Sequence, residues 1–297
     1  MESIAGLAYA KPQVILLRHT GIGTSEFAAR SCYDSFESSE HDCIKVLNEV
    51  TNDGIADEFP GTLQSVNSIE HSDLLDDLAW TYFHHSILEH ASLTYLIRGT
   101  SRGVLQEHAR HRIQSLSVRS TRYTLSPVIN AFVAEILTNV SNTYPSDWFI
   151  STLIAQDLFV TQDYEYNALQ AIDLFHRLKW QFNKIGKDEF MHLAVAKSSL
   201  ELVNLPTQHP ANYIFNLLQA GKRKRNVGDN FKHIINDTWK VDMVVTMNLR
   251  ALKNYLTLRD SGAAYFGIRH LAEAMKQVTP SKYLDLIIKG NNNVKPD

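Results

Sequence analysis

Residues Ala91–Thr100 constrain the fold most. Leu93, Tyr95 and Ile97 fall on one side of an alternating run, the period-two pattern of a strand with a single apolar face. Such a face has to be covered by other elements. Helices are predicted on both sides of it. Ser72 or Asp73 caps an amphipathic helix carrying Leu74, Leu75, Leu78, Trp80 and Phe83, and Ser101 caps another over Arg102–Arg110. Val14-Ile-Leu-Leu17 reads as a second, short buried strand ended by Gly21 and Gly23, with a helix following across Ser25–Tyr33. A strand-like run at Val241–Thr246 leads into a long helix around Leu249–Arg259 and two shorter ones ending near Lys289.

Between these elements the pattern changes. Residues 34–72 read as polar and irregular, with turn signals at Asn52-Asp-Gly54 and Pro60-Gly61. Pro127 is expected to stop the element before it. Residues 130–220 are mainly helical, with amphipathic stretches at 163–185 and 187–203, and a basic, polar connector spans Gly221–Asn230. There is no internal repeat, and the tail Asn291–Asp297 is expected to fray.

A chain of 297 residues can build one large α+β domain or two modest ones. With 44% hydrophobic and 21% charged residues it has the balance of a soluble globular protein. No apolar run approaches the ~20 residues that cross a bilayer, and the N-terminus lacks a secretory pattern, so a cytoplasmic location without membrane contact is expected. The net charge of −3 gives no electrostatic case for a nucleic-acid coat. Any phosphate must be met by a local cluster. Cys32 and Cys43 form neither a disulfide framework nor a zinc spacing. Gly21-Ile-Gly23 lacks the third glycine and trailing acid of a dinucleotide fingerprint and is a turn.

The densest polar signal is Arg110–Tyr123, with four arginines, a histidine, three serines, a threonine and a tyrosine. Guanidinium groups offer a donor fork matched to phosphate oxygens, although a solvated charged face has the same composition. On a continuing helix, Arg110 and Arg112 would point about 200° apart. Either the helix ends there or the two serve different ligands. In His84-His-Ser-Ile-Leu-Glu-His90 the clustered histidines suggest a metal, but the spacing is not His-Glu-x-x-His. A capped helix ending there explains them as dipole partners. In Asn248-Leu-Arg-Ala-Leu-Lys-Asn-Tyr-Leu-Thr-Leu-Arg259, Asn248 and Arg259 lie about three turns apart on nearly one face, while Arg250 and Asn254 share another. A merely amphipathic helix would show such stripes too.

Taken together these segments resemble the flavin-dependent thymidylate synthases. Arg110-His-Arg followed after seven residues by Ser120 is similar to that family's signature. Ser101-Arg-Gly-Val-Leu-Gln-Glu107 and Ser120-Thr-Arg-Tyr-Thr-Leu125 match on either side. The resemblance covers about residues 14–125 and 231–275. It implies an α+β fold with a central, mostly antiparallel sheet flanked by helices. The whole chain, 1–297, would be a single domain with a helical enlargement at about 127–230.

The resemblance also implies roles. Glu107, His108, Ala109 and Arg110 belong to the dUMP pocket, and Val118, Arg119, Ser120, Thr121 and Arg122 wrap the nucleotide, with Ser120 near the reacting ring. Arg110, His111, Arg112, Ile113 and Val118 would contact FAD. Ser117 stands where many members carry Asn. His84 maps to a histidine beside flavin and folate, Ser86 to an FAD contact and Glu89 to a supporting group. Asn248, Arg250 and Asn254 would hold FAD, and Arg259 would bind the uracil and help ionise N3. Lys232 would reach the dUMP phosphate across a subunit boundary. Two departures stand out: Asn236 replaces a usual proline, and Gly262–Gly267 replaces a His-Ala-x-Trp-Glu-like stretch.

The implied reaction is reductive methylation of dUMP to dTMP with FAD, methylenetetrahydrofolate and NADPH, in a homotetramer with shared sites and no metal. Neither cysteine sits in a Pro-Cys-His-Gln context, so the flavin is expected to carry the hard steps. The competing readings are three. They are a metal-dependent phosphohydrolase around His41-Asp42, a non-enzymatic nucleotide or nucleic-acid binding module, and flavin-dependent C5 modification of another pyrimidine nucleotide. Lys222-Arg-Lys-Arg225 reads as a solvated turn.

Overall fold

The computed structural model describes residues 2–4, 6–49, 60–139, 143–204, 209–221 and 227–288. The strands in chain order are β1 (Glu2–Ile4), β2 (Leu7–Tyr9), β3 (Gln13–His19), β4 (Ser92–Ser101), β5 (Ser115–Val118) and β6 (Lys240–Asn248). The first helices are α1 (Gly23–Tyr33), α2 (Asp42–Glu49), α3 (Pro60–Asn67), α4 (Asp73–Trp80) and α5 (Arg102–Ala109). Then come α6 (Thr121–Thr124), α7 (Ser126–Thr138), α8 (Asp147–Ala155), α9 (Tyr164–Ile185), α10 (Lys187–Ala194), α11 (Ala211–Ala220) and α12 (Val227–Phe231). The chain closes with α13 (Leu249–Arg259), α14 (Phe266–Val278) and α15 (Ser281–Ile287). It divides into two compact units, one of Met1–Lys11, Gly99–Gly103 and Arg119–Val241, the other of Pro12–Arg98, Val104–Val118 and Asp242–Asp297.

The second unit is built on a four-stranded sheet of order β3-β4-β6-β5. β3 pairs antiparallel with β4 (Val14 opposite Ile97), and β5 pairs antiparallel with β6 (Leu116 opposite Val245). The alternation in β4 does what it predicts: Leu93, Tyr95 and Ile97 are fully buried, as are Met243, Val245 and Met247 of β6. They share one core with Leu252, Tyr255, Leu271, Met275 and Tyr283 from the C-terminal helices. Burying side chains of this size stabilises by about 1.5–3 kcal/mol each. Two hydroxyls that reach into this core are paired, Tyr95 Oη with Thr279 Oγ1 at 2.8 Å and Tyr283 Oη with His19 Nδ1 at 2.7 Å. The other sheet face is left partly open, with Ile15 and Leu17 half exposed.

The first unit is helical. Its centre is α7, apolar all round, with Val128, Ile129, Phe132, Val133 and Ile136 buried on every side. The one acid in α7, Glu135, is fully buried and satisfied. It accepts from Ser146 N at 2.8 Å and Ser146 Oγ at 2.7 Å, tying the end of α7 to the start of α8.

Several boundaries differ from the sequence reading. Residues 34–72 are not irregular throughout: they hold α2 and α3. Pro60 opens α3 and Pro127 lies in the first turn of α7. A helix start needs no N–H at that position and welcomes the fixed φ of proline. The 187–203 stretch breaks into α10 and a 3₁₀ segment, Lys197–Asn204. The connector before β6 contains α12. Helix α4 ends at Trp80 rather than at the histidines, although His85 Nε2 still reaches its last turn, 3.1 Å from Ala79 O. The Asn52-Asp-Gly54 turn, the Lys222–Arg225 run and the Asn291–Asp297 tail lie outside the described residues. Ser72 is the cap of α4, accepting from Leu75 N. Gly21 has φ +77°, and a Cβ there would sit 2.7 Å from Asn67 O, so the turn requires glycine. No helix among the described residues is long and apolar enough to cross a membrane.

Candidate active site

Helix α5 ends at Ala109 and the chain extends through residues 110–114 into β5. That break settles the arginine geometry: Arg110 and Arg112 leave the helix together and both line one cleft of about 900 Å³ in the second unit. The opposing wall is the N-terminus and one face of α13, which contributes Asn248, Arg250, Lys253, Asn254, Thr257 and Arg259. His85 and Glu89 of the 3₁₀ segment His85–Glu89 close one side. Asn248 is the N-cap of α13, its side chain accepting from Ala251 N at 2.8 Å.

Charge is concentrated at one end. Arg259 Nη1 lies 3.0 Å from Glu107 Oε2, its Nη2 donates to Glu107 O at 3.4 Å, and its Nε donates to His111 Nε2 at 2.9 Å. Glu107 also takes Arg110 Nη1 at 3.3 Å. One carboxylate thus holds two guanidinium groups, and the fork of Arg259 is fixed on three sides. Since Arg259 donates to Nε2, the His111 proton must sit on Nδ1. Burial, then the Arg259 and Arg110 charges, pushes the His111 pKa below its ordinary value and keeps the ring neutral.

Beneath this network Tyr255 is fully buried between two imidazoles, edge-to-face with His108 at 5.0 Å and His111 at 4.8 Å. His108 is fully buried, neither of its ring nitrogens has a hydrogen-bond partner, and burial pushes its pKa down to about 4. The Tyr255 hydroxyl is likewise unpartnered, and burial raises its pKa. At the other end, Arg250 is paired with Glu89. Arg112 is exposed, with no bonding partner among the described residues.

The structure therefore gathers Arg110, His111, Arg112, Ile113, Asn248, Arg250, Asn254 and Arg259 around one cleft. His84 and Ser86 are exposed and do not line it. His84 Nδ1 lies 3.3 Å from Tyr33 Oη. The His108 ring is sealed in the floor, Ala109 is exposed at the helix end, and Val118 is half-buried at the end of β5. The remaining predicted residues belong to the first unit. There Ser120 caps α6, accepting from Arg122 N at 3.3 Å, and Thr121 is buried. Arg119 is exposed. Arg122 Nε pairs with Asp229 Oδ1 at 2.6 Å, and a Cβ on Gly228 would meet Arg122 Cα at 2.2 Å. That close approach brings Ser120–Arg122 beside the segment bearing Lys232, which is exposed. Sequence reasoning missed Lys253, His85, Gln114 and Thr257 in the cleft. The i,i+3,i+7 spacing of Arg250, Lys253 and Thr257 was the available signal.

An α+β unit with a cationic cleft between an arginine turn and a helix face defines a nucleotide-handling protein. More particularly, residues 15–281 match the Thy1 family, thymidylate synthase complementing protein, and the chain belongs to that family. The chain is 28% identical over 270 residues to the flavin-dependent thymidylate synthase of Wolinella succinogenes, covering 91% of this chain and 94% of that one. It is 29% identical over 271 residues to the enzyme of the same description from Campylobacter jejuni, covering 91% and 93%. In fold it is similar to the crystal structure of the Helicobacter pylori flavin-dependent thymidylate synthase complexed with FAD and dUMP. The TM-score there is 0.55 at 24% identity, over 93% of this chain and 98% of the other.

Proposed function

We infer that this chain is a flavin-dependent thymidylate synthase, a methyltransferase that converts dUMP to dTMP with FAD, methylenetetrahydrofolate and NADPH. The observation that carries the reading is the cleft itself. Arg110, Arg112, Arg250, Lys253 and Arg259 line it against one lining carboxylate, Glu89. Five cations against two acids, Glu89 in the wall and Glu107 behind Arg110 and Arg259, suit two phosphate-bearing ligands held close together, and about 900 Å³ is ample for the flavin half of such a pair. Arg110–Ile113, Asn248, Arg250 and Asn254 would hold FAD, with Val118 and Ser86 as flanking contacts. FAD, when bound, supplies the redox chemistry.

The chain's own residues supply position and charge. Glu107 and His111 orient Arg259, so that a uracil ring edge would meet a guanidinium already fixed in direction. A preorganised cation of this kind stabilises negative charge developing on the ring. Neutral His111 accepts from Arg259 without competing for the anion. Glu107, Ala109 and Arg110 would contact dUMP, with His108 supporting them from the buried floor, Arg119–Arg122 would wrap the nucleotide, and Lys232 would reach its phosphate across a subunit boundary. Ser120 would act as a positioning group and His84 would face the folate side. The whole chain would act as one synthase-like domain enlarged at about 127–230.

The two departures from the family pattern have local explanations. Asn236 donates to Gln170 Oε1 at 3.1 Å and accepts from Thr238 Oγ1 at 2.8 Å, so it belongs to a structural polar network. A Cβ on Gly267 would meet Val104 Cγ2 at 2.8 Å, so glycine there serves helix packing. Neither observation favours a different pyrimidine. His41 and Asp42 do not converge: His41 Nε2 engages His71 O, while Asp42 pairs with Lys45. The resemblance implies a homotetramer, in which the half-exposed Ile15 and Leu17 of the open sheet face are apolar surface available to be covered. The test is turnover: purified protein given dUMP, methylenetetrahydrofolate, FAD and NADPH should form dTMP, and UMP or dCMP in place of dUMP should not be methylated. Methylation of those nucleotides in preference to dUMP would overturn the substrate assignment.

A further inference from the structure

The cleft holds one cation that the flavin and uracil assignments do not use. Lys253 follows Arg250 by three residues and precedes Thr257 by four, so all three lie along one row of α13 and all three line the cleft. Arg250 is neutralised by Glu89, the one carboxylate in the wall. The Thr257 hydroxyl donates back to Lys253 O at 2.8 Å. Lys253 has no carboxylate partner among the described residues. Its ammonium lies 4.4 Å from the centre of the Trp80 ring and 2.9 Å from His85 Nε2. Trp80 is itself fixed, its indole N–H donating to Asp285 O at 2.9 Å. Two flat side chains therefore hold a half-buried, uncompensated ammonium at the cleft wall. Burial lowers the Lys253 pKa, the cost expected of a cation short of an anion.

Resting on the synthase reading for the identity of the ligands, we propose that Lys253, oriented by His85 and Trp80, is an oxyanion subsite of the cleft that receives a phosphate or carboxylate of a bound ligand. An ammonium has three donors. His85 Nε2 takes one in the tautomer whose proton sits on Nδ1, and the Trp80 face screens a second direction, which leaves donor capacity for an incoming oxygen. The two ligand groups of this chemistry are the diphosphate of FAD and the glutamyl carboxylates of the folate. Neither Lys253 nor His85 carries charge to the reacting ring, which is the part of Arg259.

Lys253→Met separates charge from packing, because methionine keeps the apolar stem over Trp80. FAD affinity is measured by quenching of flavin fluorescence, and the KM for monoglutamyl methylenetetrahydrofolate at saturating FAD. Loss of one charge-assisted contact should weaken one of the two by about tenfold or more. A raised FAD Kd with unchanged folate KM assigns the diphosphate. The reverse assigns the carboxylates. Lys253→Arg should recover most of the loss, because it restores the cation. Lys253→Gln makes the same comparison if Lys253→Met does not fold. The proposal is overturned if both constants stay within about twofold of the parent, or if Lys253→Arg is as impaired as Lys253→Met. A parent protein that binds no FAD would overturn the synthase reading, and the subsite with it.

Discussion

His108 makes the stability of this protein sensitive to acid. Its imidazole is fully buried, neither ring nitrogen is hydrogen-bonded, and its pKa falls from 6.5 to about 4. A histidine with a lowered folded-state pKa binds its proton more readily when the chain is unfolded. Its contribution is fully present above about pH 6.5 and is lost as the pH falls toward about 4. In full, that gap corresponds to roughly 3 kcal/mol, and acidification from about pH 7 to about pH 5 removes about 2 kcal/mol of it. His111 is shifted in the same direction by burial and by Arg259, and adds to the trend. His71 is exposed and shifted upward by its hydrogen bond to Asp73, so it works weakly against it. His108→Leu isolates the effect, because it removes the titrating ring and leaves an apolar side chain under Tyr255. Urea unfolding of both proteins at the two pH values is the assay. The parent should lose about 2 kcal/mol more than the variant on acidification. Equal losses, within about 0.5 kcal/mol, would show that His108 is not the buried neutral group described here.

Arg259→Ala should leave FAD bound, since Arg110–Ile113, Asn248, Arg250 and Asn254 remain, while dTMP formation falls by roughly 10²–10³. Release of FAD would instead place Arg259 in the cofactor site, and normal turnover would remove it from the mechanism. Cys32→Ser with Cys43→Ser should keep dTMP formation within about tenfold, because Cys32 is exposed, Cys43 is half-buried and neither lines the cleft. Light scattering should give about four times the 33.7 kDa chain mass, and a fully active monomer would refute the shared-site role of Lys232.

What was legible in the sequence is what local physics decides. The alternation of Leu93, Tyr95 and Ile97 fixed the inner face of β4, and helical arithmetic set Asn248 with Arg259 and Arg250 with Asn254 on two stripes of α13, all four of which line the cleft. The helix read around Leu249–Arg259 is α13, and its start is fixed by Asn248 as N-cap. The prolines misled because a helix-breaking residue is also a good helix opener, and only the following residues distinguish the two. The Arg110/Arg112 question was left open because a helix end without a glycine or proline has no local marker. The resemblance named His108 and His111, but the packing of the floor was not legible. His108, Tyr255 and His111 meet through pairing across 144 and more residues of chain, and no spacing rule reports that Tyr255 lies between two imidazoles. Nothing in the sequence separates Lys253 from any other lysine on an amphipathic helix. Only the position of Trp80 and His85 shows that it is half-buried and uncompensated.

The most direct measurement of the central claim is the absorption spectrum of the purified protein after incubation with FAD and gel filtration. The arginine turn and the α13 wall should retain the flavin, giving the two bands of oxidised flavin, and NADPH should bleach them under anaerobic conditions. A protein that stays colourless after incubation with excess FAD would contradict the assignment of this cleft to a flavin and, with it, the reaction derived from it.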